Sequence, residues 1–401
     1  MARLIAPDTG AKELAMRITG VKCILTAPAG VGLAVVKVET SEPGLYGVGC
    51  ATFTQRLLAV RTVVEEYLEP LLSGRDPHRI EDLWQLMYQN AYWRNGPVLN
   101  NAISGVDQAL WDIKGKQAGM PVYDLLGGKS REGAHVYVHA DGRNPAEVAA
   151  RAVEFANEGF RFVRIQQGLY GGHTAESVRP RGAPAGAYFD PRRYQRDTLA
   201  MIEHVRDVVG PDLELLHDVH ERLPPADAVR FAKDVEPARL FFLEDLLAPE
   251  DLHWFERVRA QCATPLAMGE LFNHPLEWRA VIERRLVDFI RMHVSQMGGI
   301  TPARKLAALC ETFGVRTAWH GPGDVSPVGH AANAHIDLAV WNFGIQESVS
   351  FSDAVREVFP GAPEVRDGYM YVNEAPGLGV DLNEEAAAKY PIPEQADKFP
   401  G

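Results

Sequence analysis

Asp218, Glu244 and Glu270 follow one another at intervals of 26 residues, each closing a short apolar run: "LELLHD", "LFFLE" and "PLAMGE". Carboxylates delivered together to one rim cannot all stay ionised unless a cation sits between them. Hard oxygen ligands select Mg2+ or Mn2+, and three of them leave about three octahedral positions for water or substrate. A single acid at a strand end commonly caps a helix or pairs with a surface cation. Three in register point instead to a metal centre. His220 stands two residues after Asp218 in "LLHDVHERL". On strand alternation the two share a face, which sets an imidazole beside the metal, where it can move a proton to or from whatever the metal holds.

More polar groups close neighbouring runs. Arg164 and Gln166 end "FRFVRIQQ", Arg291 and His293 lie in "DFIRMHV", His320 ends "VRTAWH", Asp324 follows in "GPGD", and Glu347 ends "NFGIQE". A guanidinium such as Arg291 near three acids can orient a carboxylate or hold an anionic substrate.

To bring these residues to one rim, the runs must be parallel strands. From about Ala134 onward, eight β-rich segments alternate with amphipathic helical text, which calls for crossover helices and a closed (β/α)8-type barrel with its site at the C-terminal strand ends. An open doubly wound sheet is the alternative, but no GxGxxG or Walker-type loop follows a strand. Upstream, Gly20 to Thr54 reads as an antiparallel meander, and Leu57 to Leu126 carries apolar residues three and four apart, as in a helical bundle. The expected units are 1–130, 131–348 and a tail, 349–401, that folds back on them. Gly168 to Tyr194, rich in Gly, Pro and Arg, reads as a lid, with helical text from Tyr194 to Gly210.

Composition narrows the function class. The chain has 401 residues, 46% of them hydrophobic, enough for a large core and a smaller second unit. A net charge of -12 disfavours nucleic acid and anionic membranes as partners. The longest uncharged run, Cys23 to Val36, is interrupted by Pro28, Gly30 and Gly32 and is too short for a span. Four scattered cysteines suit a reducing compartment, so a cytoplasmic protein is expected.

The ordered motifs "GVGCATFTQR", "ALWDIKGKQAGMPVYDLLGG", "LLHDVHERL", "FFLEDL", "MGELFN", "IRMHVSQMGGIT", "AWHGPGDVSPVGHAAN" and "NFGIQE", running from Gly47 to Glu347, resemble those of the enolase superfamily. Within it the chain resembles the mannonate dehydratase branch, and there the starvation-sensing and D-galactonate dehydratase-related members. The resemblance implies a modified TIM barrel, (β/α)7β, under an α+β capping domain, and a homo-oligomer. It implies one Mg2+ per subunit on Asp218, Glu244 and Glu270. The implied reaction is removal of water from a sugar acid such as mannonate or gluconate, through a metal-stabilised enediolate, to a 2-keto-3-deoxy acid. By the same resemblance Tyr170 is the base, with Arg164 lowering its pKa, and His220 is the acid that helps hydroxide leave. Thr54, His139, Arg291, His320, Asp324 and Glu347 hold the substrate.

Three departures qualify that reading. In the efficient enzymes the tyrosine lies deeper in a longer loop, whereas Tyr170 stands six residues after Arg164, with Tyr188 as the alternative. The position of the capping-loop Asn is Thr54, and the tail lacks a Trp near its end. Low or no activity on mannonate is therefore expected, and a catalytically silent or regulatory acid-sugar binder is the competing function. A racemase or cycloisomerase would need Lys-x-Lys where the chain has Arg164-Ile165-Gln166.

Overall fold

The computed structural model describes residues 16–168, 181–182 and 189–393. Tyr170, Tyr188 and most of the expected lid lie outside the described residues.

The chain opens with β1 (Ile18–Thr26), β2 (Leu33–Thr40) and β3 (Tyr46–Cys50), an antiparallel meander in that spatial order. The "GVG" of β3 lets this sheet settle directly on the helix Pro97–Ala118: a Cβ on Gly47 or Gly49 would collide with the helix backbone at Ala109 or Gly105. The other face of the helix reaches the barrel. Asp107 accepts the Thr301 backbone N–H (2.9 Å), which satisfies one orphan donor in the first turn of the barrel helix Ile300–Phe313, and Trp111 Nε1 donates to the Thr301 hydroxyl (2.9 Å).

The barrel strands are β4 (Ala134–Gly142), β5 (Phe162–Gln167), β6 (Glu214–Asp218), β7 (Phe242–Glu244), β8 (Leu266–Met268), β9 (Phe289–Ile290), β10 (Arg316–Thr317) and β11 (Gln346–Glu347). Each pairs in parallel with the next from β4 to β10. The ring is completed by β11 on β4 and by a parallel bridge between Thr317 and Phe343. This is the modified TIM barrel with a capping domain that the motifs imply.

Its interior is layered with the period of a strand. Tyr137, Leu216, Phe242, Ala267, Phe289, Ala318 and Ile345 form one apolar plug. Two residues further along these strands stand His139, Asp218, Glu244, Gly269, Arg291, His320 and Glu347. Side chains two apart on a strand share a face, so a packed hydrocarbon layer is roofed by a polar one at the C-terminal mouth.

One expectation needs correction. The helix after the lid begins at Pro191, not Tyr194: Asp190 accepts the N–H groups of Arg192 and Arg193, and Pro191 occupies the first turn, where its missing N–H costs nothing. The tail also contains regular structure. It holds a helix (Asp353–Val358) and a hairpin of β12 (Glu364–Arg366) and β13 (Tyr369–Tyr371), whose turn residues Asp367 and Gly368 both have positive φ (51° and 76°). β13 pairs antiparallel with the start of β4. The tail then crosses to the capping sheet, where Glu384 meets Lys22 (2.9 Å) and Lys37 (2.7 Å), Thr26 Oγ1 donates to the Ala387 carbonyl (3.0 Å), and Tyr46 donates to Asp381 (2.6 Å). No described helix is long and apolar enough to cross a membrane.

Candidate active site

A cavity of about 670 Å3 opens at the C-terminal mouth, between barrel and cap. Arg164, Asp218, His220, Glu270, His293, His320, Asp324 and Glu347 line it from the barrel, and Phe53, Gln55 and Pro97 from the cap. Glu244 and Arg291 lie beneath, fully buried. His139 is held by Glu347 (2.8 Å from Nε2 to Oε1) and is not part of the cavity wall. Thr54 is not on the wall either: its hydroxyl is buried without a partner, while the residues on both sides of it face the cavity.

Arg291 organises the acids. Its guanidinium binds Glu270 and Glu347, approaches Glu244 (2.9 Å) and donates to the Tyr137 hydroxyl (3.0 Å). Arg164 lies 3.3 Å from Asp218. These two guanidiniums face five carboxylates: Asp218, Glu244, Asp245, Glu270 and Glu347. The imbalance shows in their ionisation. Burial raises the pKa of Glu244 and Asp245 well above the carboxylate range, and repulsion from Asp218 adds to it in both. Glu270 is raised by burial and by Asp218, against the pull of Arg291. Asp218 is lowered: burial alone would raise it, but the His220 hydrogen bond and charge, with Arg164 and Arg291, outweigh that.

Asp218, Glu244 and Asp245 each offer an oxygen, and these oxygens lie within 4.8 Å of one another. Glu244 Oε2 is buried with no hydrogen-bond donor. An oxygen-only donor set, an excess of buried negative charge and an orphaned carboxylate oxygen fit a hard divalent cation. Glu270, the third acid expected from the sequence, is not in this cluster; Asp245, which sequence reading missed, completes it. Strand alternation points it away from Glu244, but its φ of 41° turns it out of the strand path and into the cluster. Its one legible sign was a second acid directly after a strand-end acid in "FFLEDL". Glu270 is one residue beyond the polar layer, re-aimed by Gly269 (φ 141°).

His220 reaches the cavity, although not by strand alternation. The strand ends at Asp218, and His220 and Glu221 are both left-handed (φ 53° and 58°). The Asp218 carboxylate shapes this turn, accepting the His220 backbone N–H (2.7 Å) and lying 3.3 Å from Nδ1. Burial lowers the imidazole pKa, but the Asp218 hydrogen bond and charge raise it more, for a net upward shift. His320 behaves oppositely: burial drives it well below the usual range, which leaves the ring neutral.

This arrangement of acids at successive strand ends under an α+β cap has relatives. The enolase C-terminal domain-like family model matches residues 147–386, and that of the mandelate racemase / muconate lactonizing enzyme N-terminal domain matches residues 14–127. The chain belongs to the enolase superfamily. Among superfamily members similar to it, the D-galactonate dehydratase family member RspA of Pantoea ananatis is 54% identical over 391 residues, 93% of this chain and 94% of that protein. The D-galactonate dehydratase family member SEN1436 of Salmonella enteritidis is 53% identical over 393 residues, 94% of each. A crystal structure of an enolase from Pantoea ananatis with bound D-gluconate and Mg superposes with a TM-score of 0.91 at 54% identity, covering 94% of this chain and 95% of that one. At 26% identity, a superfamily member from Salmonella Typhimurium still gives 0.83, over 94% and 98%.

Proposed function

We propose that the chain is a Mg2+-dependent acid-sugar dehydratase that takes water from an aldonate and forms a 2-keto-3-deoxy acid. The observation that carries this reading is the setting of Asp218: Arg164 on one side, His220 on the other, and unbalanced buried carboxylates beneath. The solved relative that holds D-gluconate and Mg supports it.

Asp218, Glu244 and Glu270 would hold the ion, with Asp245 as a fourth carboxylate beside them. When bound, Mg2+ supplies positive charge for the substrate carboxylate and for the charge that develops on it as the neighbouring carbon loses its proton. The protein's own groups do the rest. Arg164 places a fixed cation near the second-strand end, where it stabilises an ionised base; Tyr170, in the segment that follows, is our candidate, with Tyr188 as the alternative. His220, kept proton-rich by Asp218, donates to the departing hydroxyl. Neutral His320, with Asp324 and Glu347, offers hydrogen bonds to the acid's hydroxyls, and His139 and Arg291 hold Glu347 in place. The wall residues Phe53 and Gln55 take the part of the cap's contact that was expected of Thr54.

The test is a panel of aldonates, gluconate and mannonate among them, assayed with Mg2+ for 2-keto-3-deoxy products. Turnover of at least one that is lost in Asp218→Ala is the expected result. Binding of every tight ligand without product would instead make the protein an acid-sugar binder.

A further inference from the structure

Asn100 stands in the first turn of the cap helix Pro97–Ala118, and its side chain is buried. Residues three apart on a helix share a face, so Asn100 lies on the same side of the helix as Pro97, which forms part of the cavity wall. Its Nδ2 carries two hydrogens and meets three oxygens: the Gln296 carbonyl (2.8 Å), the Asn273 carbonyl (3.0 Å) and Asn95 Oδ1 (3.1 Å). The three belong to different segments. Asn273 lies in the loop that follows β8 and Glu270, and Gln296 in the loop that follows β9 and Arg291. Asn95 belongs to the cap, in the left-handed turn (φ 77°) that opens the helix.

Both barrel residues that Asn100 grips line the cavity themselves. One carboxamide therefore joins three parts of the wall: Pro97 from the cap, and the two loops that leave β8 and β9. The β8 loop has its own supports at either end. Glu270 is bound by Arg291, and the N–H groups of Asn273 and His274 are taken by Glu277 of the helix Pro275–Glu283. What the carboxamide adds is the separation between cap and loops at the place where they face the cavity. A neutral amide moves no proton, so its influence is on how a ligand is held. Trp84, on the cap helix Ile80–Asn90, offers a contrast: its Nε1 donates to the Gly298 carbonyl (2.8 Å), in the same loop as Gln296 but off the cavity wall.

We propose that Asn100 is a positioning residue for the acid-sugar cavity: by clamping the loops after β8 and β9 to the first turn of the cap helix, it sets the gap between Pro97 and the wall residues Leu271, Asn273 and Gln296, and with it the tightness with which an acid sugar is held. The claim rests on the proposed function for the nature of the ligand. The clamp itself does not depend on it.

The experiment compares the full-length wild type with Asn100→Leu, which keeps the bulk and loses both N–H groups, and with Trp84→Phe, which cuts the cap-to-barrel bond away from the wall. On an aldonate that is turned over with Mg2+, N100L should raise KM about tenfold or more and leave kcat within about threefold, because a wall contact made equally in ground and transition states is lost, whereas W84F should stay within about threefold in both. Mg2+ affinity, measured by calorimetry, should not change in either variant. Without ligand, amide hydrogen exchange over Leu271–Asn273 and Ser295–Met297 should be faster in N100L than in the wild type. An unchanged KM in N100L, or a loss of kcat without a rise in KM, overturns the proposal. So does a KM raised as much by W84F as by N100L, since any loosening of the cap would then suffice. If no aldonate is turned over, the dehydratase reading fails, and exchange still decides the clamp: protection unchanged in N100L overturns it. Should N100L not fold, Asn100→Ser, whose hydroxyl is too short to reach all three oxygens, is held to the same outcomes.

Discussion

At the scale of single residues, the reading of Asp218, Glu244 and Glu270 as ion ligands and that of His220 as proton donor can be tested separately. Asp218, Glu244 and Glu270 should each be needed for the ion, so replacing any one by Ala is expected to weaken Mg2+ binding about a hundredfold or more. Asp245→Asn should cost only about tenfold, as for a group that supports the ligands from outside. Isothermal titration calorimetry separates the two outcomes, and an Asp245 variant as damaged as the other three would make it a direct ligand. His220→Asn should leave Mg2+ affinity intact but lower kcat by about 10²- to 10⁴-fold, because the leaving hydroxyl loses its proton donor. Unchanged kcat would give that role to another group. The three spaced acids were legible in the sequence because each β/α unit delivers one strand end to the same height. His220 was placed correctly for the wrong reason, and Asp245 was missed, for one cause: both sit in left-handed turns, where a period of two no longer says which way a side chain points.

At the scale of elements, a plug residue and the site residue two positions later are rungs of one strand, so the apolar layer fixes the height of the acids. Phe242→Ala should leave a cavity directly under Glu244 and cost roughly 3–5 kcal/mol of stability, as measured by denaturant unfolding. Elsewhere, single side chains join elements. His335, on the barrel helix Pro327–Ala339, accepts the Tyr123 N–H at Nδ1 (3.2 Å) and donates from Nε2 to the Leu378 carbonyl (3.1 Å), tying cap, barrel and tail through one neutral ring. Burial lowers its pKa from 6.5 to about 4. In that window the unfolded chain binds the proton and the folded one does not, so the ring's contribution is present above pH 6.5 and lost as pH falls toward 4. His335→Gln should therefore reduce the loss of stability between pH 7.5 and pH 4.5 by on the order of 3 kcal/mol. Denaturant unfolding at the two pH values gives the comparison; equal losses in variant and wild type would show that His335 does not carry the effect. The eight strands could be read from the alternation of β-rich and helical text. The tail hairpin was also signalled, by Asp367-Gly368 between two runs of alternating type, but each strand is only three residues long and carries little pattern of its own.

At the scale of the whole molecule, folding concentrates like charge at one place, and a bound ion should relieve it. Mg2+ at a hundredfold excess over Kd should add about 3 kcal/mol and raise Tm by a few degrees, which EDTA reverses and Asp218→Ala abolishes. Differential scanning calorimetry is the check, and a Tm indifferent to Mg2+ would count against the site. A chain ending at residue 348 would leave the bottom of β4 and one face of the capping sheet uncovered, and it should appear in the insoluble fraction on expression.

The bonds between the first strand and the last helix also set an order of events during synthesis. Lys22 and Thr26 find their partners Glu384 and Ala387 only after 362 and 361 more residues have been made. Every barrel strand is translated within that interval. A nascent molecule is therefore expected to pass through a stage at which the cap can already hold the barrel through Asp107 and Trp111 while the capping sheet still waits for its bonds to the tail.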